Sequence, residues 1–282
     1  MPAPFENVRT LVVKIGTTLL SSEQGFDGRL LEPIVQDLAR LKHERKLNLL
    51  IVSSGAMGCG MDRLGLTERP KLLPKKQATA AVGQSRLMAI YEALFQTYGD
   101  GLRTAQVLLS AADLDARRAY LNVRNTLNAL FEFQNVVPIV NENDSTATEE
   151  LRFGDNDTLA AKVASKINAD LLVILSNVNG LYEGNPATDP NARLIEQITT
   201  VTPEIEALAG DTAATTSIGG MRTKLQAAKI ASLAGVPVVI ANGNRGDVVS
   251  RVLAGEGPMT LFGRSQNGLS HRKRWIAFGR AS

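Results

Sequence analysis

The chain has a single cysteine, Cys59, and only two histidines among its 282 residues. One cysteine excludes an internal disulfide framework and any zinc site built on cysteine ligands. The sequence also has no run of about 18 apolar residues, the length that a membrane-spanning helix needs. Its first ten residues, MPAPFENVRT, do not contain the apolar core of a signal peptide. We therefore expect a cytoplasmic protein that does not bind membranes.

Positive and negative charges nearly balance, because 31 basic residues stand against 28 acidic ones and the net charge is +3. An excess this small does not predict nucleic-acid binding. Apolar residues make up 44% of the chain, enough for a substantial core. No linker or low-complexity tract interrupts the sequence before residue 265, so we assign 1–265 to one domain and 266–282 to a C-terminal tail.

Short β-rich runs alternate with longer helical patterns along most of the sequence. The runs are continuously rich in Val, Ile and Leu, which predicts strands covered on both faces, as in a parallel sheet. The alternation predicts an α/β fold with helices on both sides of the sheet, although it does not give the strand order. The predicted strands are 8–16, 48–54, 104–110, 136–140, 170–176 and 236–242, and the predicted helices are 28–45, 77–97, 118–133, 156–168, 203–209 and 221–234.

Polar and glycine-rich stretches follow four of the predicted strands. KIGTTLLSS follows the first, SSGAMGCG the second, NENDS the fourth and SNVNGLY the fifth. Ligands in open α/β sheets bind beyond the carboxyl ends of the strands. The four stretches therefore predict a single site assembled from distant parts of the chain.

Two of these stretches have both a structural and a functional interpretation. Lys14, at the end of the first strand, can extend to solvent or hold a phosphate group beside Gly16. In SSGAMGCG, Gly55 suits a tight turn that leaves helix N–H groups free for an anion, although close packing explains such glycines equally well. The spacing fits neither the P-loop nor the dinucleotide-binding pattern. We interpret Cys59 as a small buried residue, since nothing flanking it stabilises a thiolate.

A third glycine-rich stretch, SIGGMRTKLQAAKIASLAG, places Lys224 in the first turn of a predicted helix. A phosphate bound there would meet the backbone amides and the ammonium group together. The alternative is a solvated lysine on an amphipathic helix.

The most acidic part of the chain is NENDSTATEELRFGDND, residues 141–157, with six carboxylates and three asparagines. Capping of the next helix accounts for Asp155 and Asp157. It does not account for the residues directly after the fourth strand. A metal site is one alternative there, although the spacing matches no EF-hand. We interpret Asp157 as the carboxylate that orients two phosphate-directed lysines, and Asp144 with the asparagines as a cradle for a substrate ammonium group.

Seven segments occur in the order and approximate spacing typical of the glutamate 5-kinases, a branch of the amino acid kinase superfamily. The resemblance extends over residues 8–276, and AAVGQSRL with the NEND…GDND pair is its most specific part. The seven segments are VVKIGTTLL, VSSGAMGCG, AAVGQSRLM, VVPIVNENDS, GDND, GLY and GGMRTKLQAA.

The resemblance implies a three-layer α/β/α sandwich with a mainly parallel sheet. It also implies ATP-dependent phosphorylation of the γ-carboxylate of L-glutamate to γ-glutamyl phosphate, the first step of proline biosynthesis. Members of the family use Mg²⁺ with ATP, are commonly inhibited by L-proline, and commonly form dimers or tetramers. We assign no protein side chain as a metal ligand.

The resemblance also carries roles to matching positions. Lys14 and Lys224 would contact the phosphoryl groups, and Asp157 would hold both lysines in place. The residues that would bind glutamate are Ser54, Gly55, Asn141, Asp144 and Asn156. The residues that would surround ATP are Lys14, Gly16, Ser176, Asn177, Ile218, Gly219, Gly220, Met221, Arg222, Thr223 and Lys224.

Three features depart from the family pattern. Asn177 stands where aspartate is frequent, and Ser217 with Ile218 stands where glycine and threonine are frequent, so these positions bear on nucleotide preference. Many bacterial members continue into a PUA domain, whereas this sequence stops at residue 282 after a basic cluster at 272–274. We interpret that cluster as a solvated tail or a packed strand rather than an RNA-binding element.

Two other functions stay open on the sequence. One is a kinase of the same superfamily that phosphorylates a different acceptor. Asp144 and Asn156 favour an amino acid as the acceptor. The other is a catalytically silent sensor of glutamate or proline. The presence of Lys14, Asp157 and Lys224 together favours an enzyme.

Overall fold

The computed structural model describes residues 5–22, 25–146, 155–186, 188–189, 191–210 and 220–263. The strands are β1 (Thr10–Ile15), β2 (Ser21–Ser22), β3 (Gly25–Phe26), β4 (Asn48–Ser53), β5 (Arg103–Leu109), β6 (Val136–Glu142), β7 (Leu171–Ser176), β8 (Gln197–Ile198), β9 (Val238–Asn242) and β10 (Met259–Phe262). The helices are α1 (Glu32–Arg45), α2 (Ala56–Arg63), α3 (Leu73–Tyr98), α4 (Ala111–Asp115), α5 (Arg117–Glu132), α6 (Asn156–Ile167), α7 (Pro203–Leu208), α8 (Met221–Leu233) and α9 (Val248–Ala254).

Eight of these strands form one sheet in the order β5-β6-β4-β1-β7-β9-β10-β8. Neighbouring strands from β5 to β9 run parallel, which confirms the prediction of a mainly parallel sheet. At the far edge, β10 is antiparallel to β9, and β8 pairs parallel with β10. The central strand is β1, so the residues at its carboxyl end lie in the middle of the edge where ligands bind in such sheets.

Helices cover both faces of this sheet. Leu11, Val13 and Ile15 of β1 belong to an apolar cluster with α1, α3 and α9. Val12 belongs to the opposite cluster, with α5, α6 and α8. This arrangement confirms the three-layer α/β/α sandwich. Because side chains alternate along a strand, Lys14 lies on the same face as Val12, toward α6 and α8.

All six predicted strands and all six predicted helices are present, with shifted ends. The helix predicted at 28–45 begins with a 3₁₀ turn, Gly28–Leu31, and α1 starts only at Glu32. The prediction omitted the short elements near the sheet edge, such as β10 and α9. The seven residues of α9 include three valines, which favour strands, so its pattern does not indicate a helix.

One buried lysine lies away from the sheet edge, in the last turn of α1. Lys42 is 5% exposed, and its Nζ donates to the carbonyl of Leu47 at 3.1 Å. Burial lowers the pKa of Lys42 from 10.5 to about 8. Between these two pH values the native chain has released a proton that the unfolded chain still holds. The contribution of Lys42 to the free energy of unfolding therefore rises with pH across this window.

We expect the Lys42→Met variant to lack this contribution. The unfolding free energy of the parent, relative to the variant, should increase between pH 8 and pH 10 by at most about 1.4 kcal/mol per pH unit. Urea denaturation of both proteins at several pH values measures this difference in unfolding free energy. Lys71→Met, at an exposed lysine, is the matched control. A parent-to-variant difference that stays constant with pH would contradict the prediction.

Candidate active site

The carboxyl ends of β1, β4, β6 and β7 meet around a cavity of about 380 Å³. The segments that follow these strands supply most of its lining, together with the starts of α2 and α6. The structure thus brings together residues that lie up to 210 positions apart in the chain, from Lys14 to Lys224. The predicted site residues that line the cavity are Lys14, Gly16, Ser54, Gly55, Asn141, Asp144, Asn156, Ser176 and Lys224.

Asp157 lies in the first turn of α6 and holds two lysines at this cavity. Its side chain is fully buried, and Lys14 Nζ lies 2.5 Å from Oδ1. Lys224 Nζ lies 3.2 Å from Oδ2, which is also 2.9 Å from the Thr223 hydroxyl. The preceding Asp155 caps the helix by accepting from Thr158 N at 2.9 Å. The capping role predicted for Asp155 is confirmed, and Asp157 instead forms the buried ion pairs.

The charges in this group perturb one another. Burial alone would raise the pKa of Asp157, but the ammonium groups of Lys14 and Lys224 outweigh it and hold that pKa below its ordinary value. Burial lowers the pKa of Lys224, and the Asp157 carboxylate offsets only part of this effect. Burial and the charge of Asp157 raise the pKa of Asp155. Two cations held side by side at a cavity wall favour an anion between them.

Another wall of the cavity is made of amide and hydroxyl groups. Asn156 Nδ2 lies 2.7 Å from the Ser53 carbonyl, 3.0 Å from Ser54 Oγ and 2.9 Å from Asn141 Oδ1. Its two N–H bonds thus serve three acceptors on two neighbouring strand ends. These contacts tie the start of α6 to the ends of β4 and β6. Because Asn156 and Asp157 are adjacent, one helix start contributes to both walls.

Helix α2 begins where the second glycine-rich stretch turns away from β4. Gly55, the residue before the helix, has φ +101°, which confirms the predicted tight turn. Ala56, Met57 and Gly58 in its first turn line the cavity. Cys59 is buried, and burial raises the pKa of its thiol to about 11. The prediction that Cys59 is a small buried residue is confirmed.

Glycines also fix α2 against α3. A Cβ atom at Gly83 would lie 1.7 Å from the carbonyl oxygen of Ala56, and one at Gly60 would lie 1.9 Å from that of Thr79. Both distances are far below van der Waals contact, so the two backbones touch directly. The first turn of α2 therefore takes its position at the cavity from α3.

The residues predicted to surround ATP are only partly described. Gly220 precedes α8, Arg222 is exposed, and Ser176 Oγ lies 3.3 Å from Oδ1 of the exposed Asn177. Arg222 and Thr223 line a neighbouring cavity of about 700 Å³, which meets the first at Asp155. Ile218 and Gly219 lie outside the described residues, as do Ser217, the basic cluster at 272–274 and the predicted tail at 266–282.

Sequence reasoning missed several residues that line the cavity. Thr17 and Thr18 lie in the KIGTTLLSS segment, and Glu142 lies in the acidic stretch. Because both segments were assigned to the site, these three residues could have been predicted to line the cavity. Arg69 was not singled out, because an arginine in a loop between helices is usually a solvated surface residue. The remaining lining residues that were missed are Ser21, Ala56, Met57, Gly58 and Met61, and Asp155, which also lines the cavity, was predicted only as a helix cap.

Neither a metal cage nor a membrane segment occurs in the part of the chain that the structure describes. There, no three His, Cys, Asp or Glu side chains come together in a way that could hold a metal ion. Nor does any described helix combine the length and the apolar composition needed to cross a bilayer.

Two solved structures share this fold. A carbamate kinase from Giardia lamblia bound to AMP-PNP has a TM-score of 0.63 and 14% identity, and the likeness covers 92% of this chain and 99% of that one. A UMP kinase from Ureaplasma parvum has a TM-score of 0.57 and 18% identity, covering 91% and 99%. At these identities the likeness shows the fold alone.

Sequence similarity is closer to another group of proteins. The model of the Amino acid kinase family matches residues 9–242. A glutamate 5-kinase from Moorella thermoacetica is 48% identical over 98% of this chain and 72% of that protein. A glutamate 5-kinase from Clostridium acetobutylicum is 46% identical over 92% of this chain and 96% of that protein. The chain therefore belongs to the amino acid kinase family and, within it, to the glutamate 5-kinases.

Proposed function

We propose that this protein transfers the γ-phosphoryl group of ATP to the γ-carboxylate of L-glutamate, which forms γ-glutamyl phosphate and ADP in the first step of proline biosynthesis. The observation that carries the proposal is the pair of buried lysines at Asp157, which line the same cavity as a set of amide, hydroxyl and carboxylate groups. The cations suit the phosphoryl group, and the amide, hydroxyl and carboxylate groups suit an amino acid.

Phosphoryl transfer needs positioning and charge stabilisation more than covalent catalysis. In the proposed reaction, a γ-carboxylate oxygen attacks the γ-phosphorus, and the bond from that phosphorus to the bridging oxygen of ADP breaks. Both reactants are anions, so Lys14 and Lys224 would offset their repulsion. Asp157 would hold the two ammonium groups in place. No general base is required, because the attacking carboxylate is already ionised.

The amide wall would hold the glutamate. Asp144 and the side-chain oxygen of Asn156 would accept from the α-ammonium group, and Asn141 and Ser54 would fix the rest of the amino acid. Gly55, at the start of α2, would present backbone N–H groups to a carboxylate. All five residues line the cavity that Lys14 and Lys224 also line.

ATP would bind with Mg²⁺ between β7 and the start of α8. Ser176, Asn177, Gly220, Met221, Arg222 and Thr223 would contact it, and Gly16, Ile218 and Gly219 complete the proposed set. Mg²⁺ prefers oxygen ligands and keeps several from water and phosphate. The ion would arrive with the nucleotide and neutralise phosphate charge, and we assign no protein side chain as its ligand.

Three further properties of the proposed enzyme follow from its family. L-proline would act as an inhibitor that overlaps the glutamate site. The active protein would be a homo-oligomer, a dimer or a tetramer. It would work in the cytoplasm.

Hydroxylamine trapping tests the reaction itself. With ATP, Mg²⁺ and glutamate we expect ADP release and a hydroxamate in equal amounts, both suppressed by proline. Aspartate in place of glutamate is the control and should give neither product. Turnover with a different acceptor and none with glutamate would support kinase activity but contradict glutamate as the substrate. Saturable binding of glutamate or proline without turnover would favour a sensor.

Replacing Asp144 by alanine should weaken the binding of glutamate selectively. A hydrogen bond to a charged group is worth roughly 1.5–3 kcal/mol, so we expect KM for glutamate to rise about 10- to 150-fold. Steady-state kinetics should show a KM for ATP close to that of the parent, because the nucleotide lies at the lysine side of the cavity. An unchanged KM for glutamate would remove Asp144 as the partner of the ammonium group.

A further inference from the structure

Three amide side chains form a buried chain of hydrogen bonds behind the proposed glutamate site. Gln84 on α3 accepts at Oε1 from Asn141 Nδ2, at 2.8 Å. Asn141, at the end of β6, in turn accepts at Oδ1 from Asn156 Nδ2, at 2.9 Å. Gln84 is 8% exposed and Asn141 is 3% exposed. The chain thus connects helix α3, in one layer of the sandwich, to the start of α6 in the other.

Backbone groups of fixed polarity define the direction of every bond in this chain. The Glu142 N–H can only donate, and it does so to Asn141 Oδ1 at 2.8 Å. The Ser53 carbonyl can only accept, and it takes Asn156 Nδ2 at 2.7 Å. Asn141 must therefore present its Nδ2 to Gln84, where only an acceptor satisfies it. Gln84 Oε1 is that acceptor.

The orientation matters at the cavity. Because Asn156 Nδ2 is engaged with three acceptors at the ends of β4 and β6, its Oδ1 is the atom left to accept from a substrate. We propose that Gln84 is a positioning residue for the acceptor substrate: it fixes the Asn141 amide, which fixes Asn156 with its carbonyl oxygen toward the glutamate ammonium group. This inference rests on the proposed function.

A purely structural role explains Gln84 less well. Its Nε2 is buried and has no hydrogen-bond partner in the part of the chain that the structure describes. An unpaired buried donor is costly, and a methionine of similar length would fill the same space without it. The chain nevertheless has glutamine here, in the AAVGQSRL segment, beside the Gly83 contact that fixes α3 against α2. The acceptor oxygen is what methionine could not supply.

Gln84→Met and Gln84→Glu separate the two roles. Gln84→Met removes the acceptor, and we expect KM for glutamate to rise about tenfold, since the role of the residue is indirect. KM for ATP should stay within about twofold of the parent, and kcat within about threefold. Gln84→Glu keeps an acceptor oxygen and loses the amide NH2 group. Its KM for glutamate should therefore stay near the parent value, unlike that of Gln84→Met. Thermal unfolding of all variants reports structural damage separately.

A double variant tests whether Gln84 acts through Asn141. Removing both partners also avoids leaving Asn141 Nδ2 buried and unpaired, which protects folding. In the Asn141→Ala background, Gln84→Met should add no further rise in KM for glutamate. An additive rise, or a Gln84→Met variant that melts at a lower temperature with unchanged KM, would overturn the proposal. Parent protein that fails to turn over glutamate would instead overturn the proposed function.

Discussion

Asp157→Asn is expected to lower kcat by roughly 10²- to 10³-fold, the scale seen when one preorganised electrostatic contact is lost. The substitution keeps the shape of the side chain and removes only its charge. Lys14 and Lys224 would then face each other at a buried site without the carboxylate that lies 2.5 and 3.2 Å from them. Their repulsion would move both ammonium groups away from the phosphoryl position.

The same variant should lose stability, because breaking a buried ion pair leaves uncompensated charge. We expect the free energy of unfolding to fall by about 3–5 kcal/mol at neutral pH. The pKa of Asp157 is held below its ordinary value in the native chain. Its stabilising contribution is therefore present above the unfolded pKa, near 4, and is lost as the pH falls through the native pKa. The difference between parent and variant should shrink in acid.

Asp115→Asn provides a matched control for both measurements. Asp115 pairs with Lys162 at 2.9 Å, but its side chain is 26% exposed and does not line the cavity. This pair should contribute less than about 1 kcal/mol, and its loss should leave kcat unchanged. An Asp157→Asn variant that behaves like the control in urea denaturation and in turnover would refute the role of Asp157.

Gly83→Ala should have the second largest effect among the substitutions considered. It should destabilise the fold and displace the start of α2, which lines the cavity. The added methyl would lie 1.7 Å from the Ala56 carbonyl and 2.4 Å from the Gly60 nitrogen. Backbone atoms cannot move aside as a flexible side chain can, so α2 must separate from α3. We expect a loss of about 3 kcal/mol in the free energy of unfolding, the upper part of the range for overpacking. Denaturant unfolding measures it.

Gly58→Ala is the control for this effect. A Cβ at Gly58 would lie 3.8 Å from the nearest atom, on Phe26, which is ordinary contact. Because alanine favours a helix more than glycine does, by about 1 kcal/mol, this variant should be as stable as the parent or more so. Equal stability of the two alanine variants would show that α2 and α3 are not in backbone contact at Gly83.

The main strands and helices of the three layers could be predicted from the sequence, whereas the short strands at one edge of the sheet could not. Continuous apolar runs such as LLVILS, which forms β7, are typical of strands covered on both faces, and all of the predicted strands were found. The strand order was not predictable, because it depends on which helices pack together. The edge elements β8 and β10 have two and four residues, too few to give a periodic pattern.

The candidate site shows the same division. Lys14 and Lys224 could be singled out because each stands beside glycine at a strand end or a helix start, and the resemblance to the glutamate 5-kinases joins both to Asp157. Gln84 could not be assigned a partner, since a glutamine within a helix gives no sign of which distant amide it will meet. Arg69 reaches the cavity only because α2 and the loop after it fold over the sheet edge. Tertiary contact, rather than local pattern, decides such positions.

The adjacent residues Asn156 and Asp157 constrain how the specificity of this enzyme can evolve. Asn156 donates to the Asn141 side chain, and Asp157, on the same turn of α6, pairs with Lys14 and Lys224, the lysines proposed to contact phosphate. A shift of α6 that made room for a larger acceptor would also displace Lys14 and Lys224 from the donor. In the proposed site, we therefore expect a change of acceptor to come from substitutions at the ends of β4 and β6 rather than from a movement of α6.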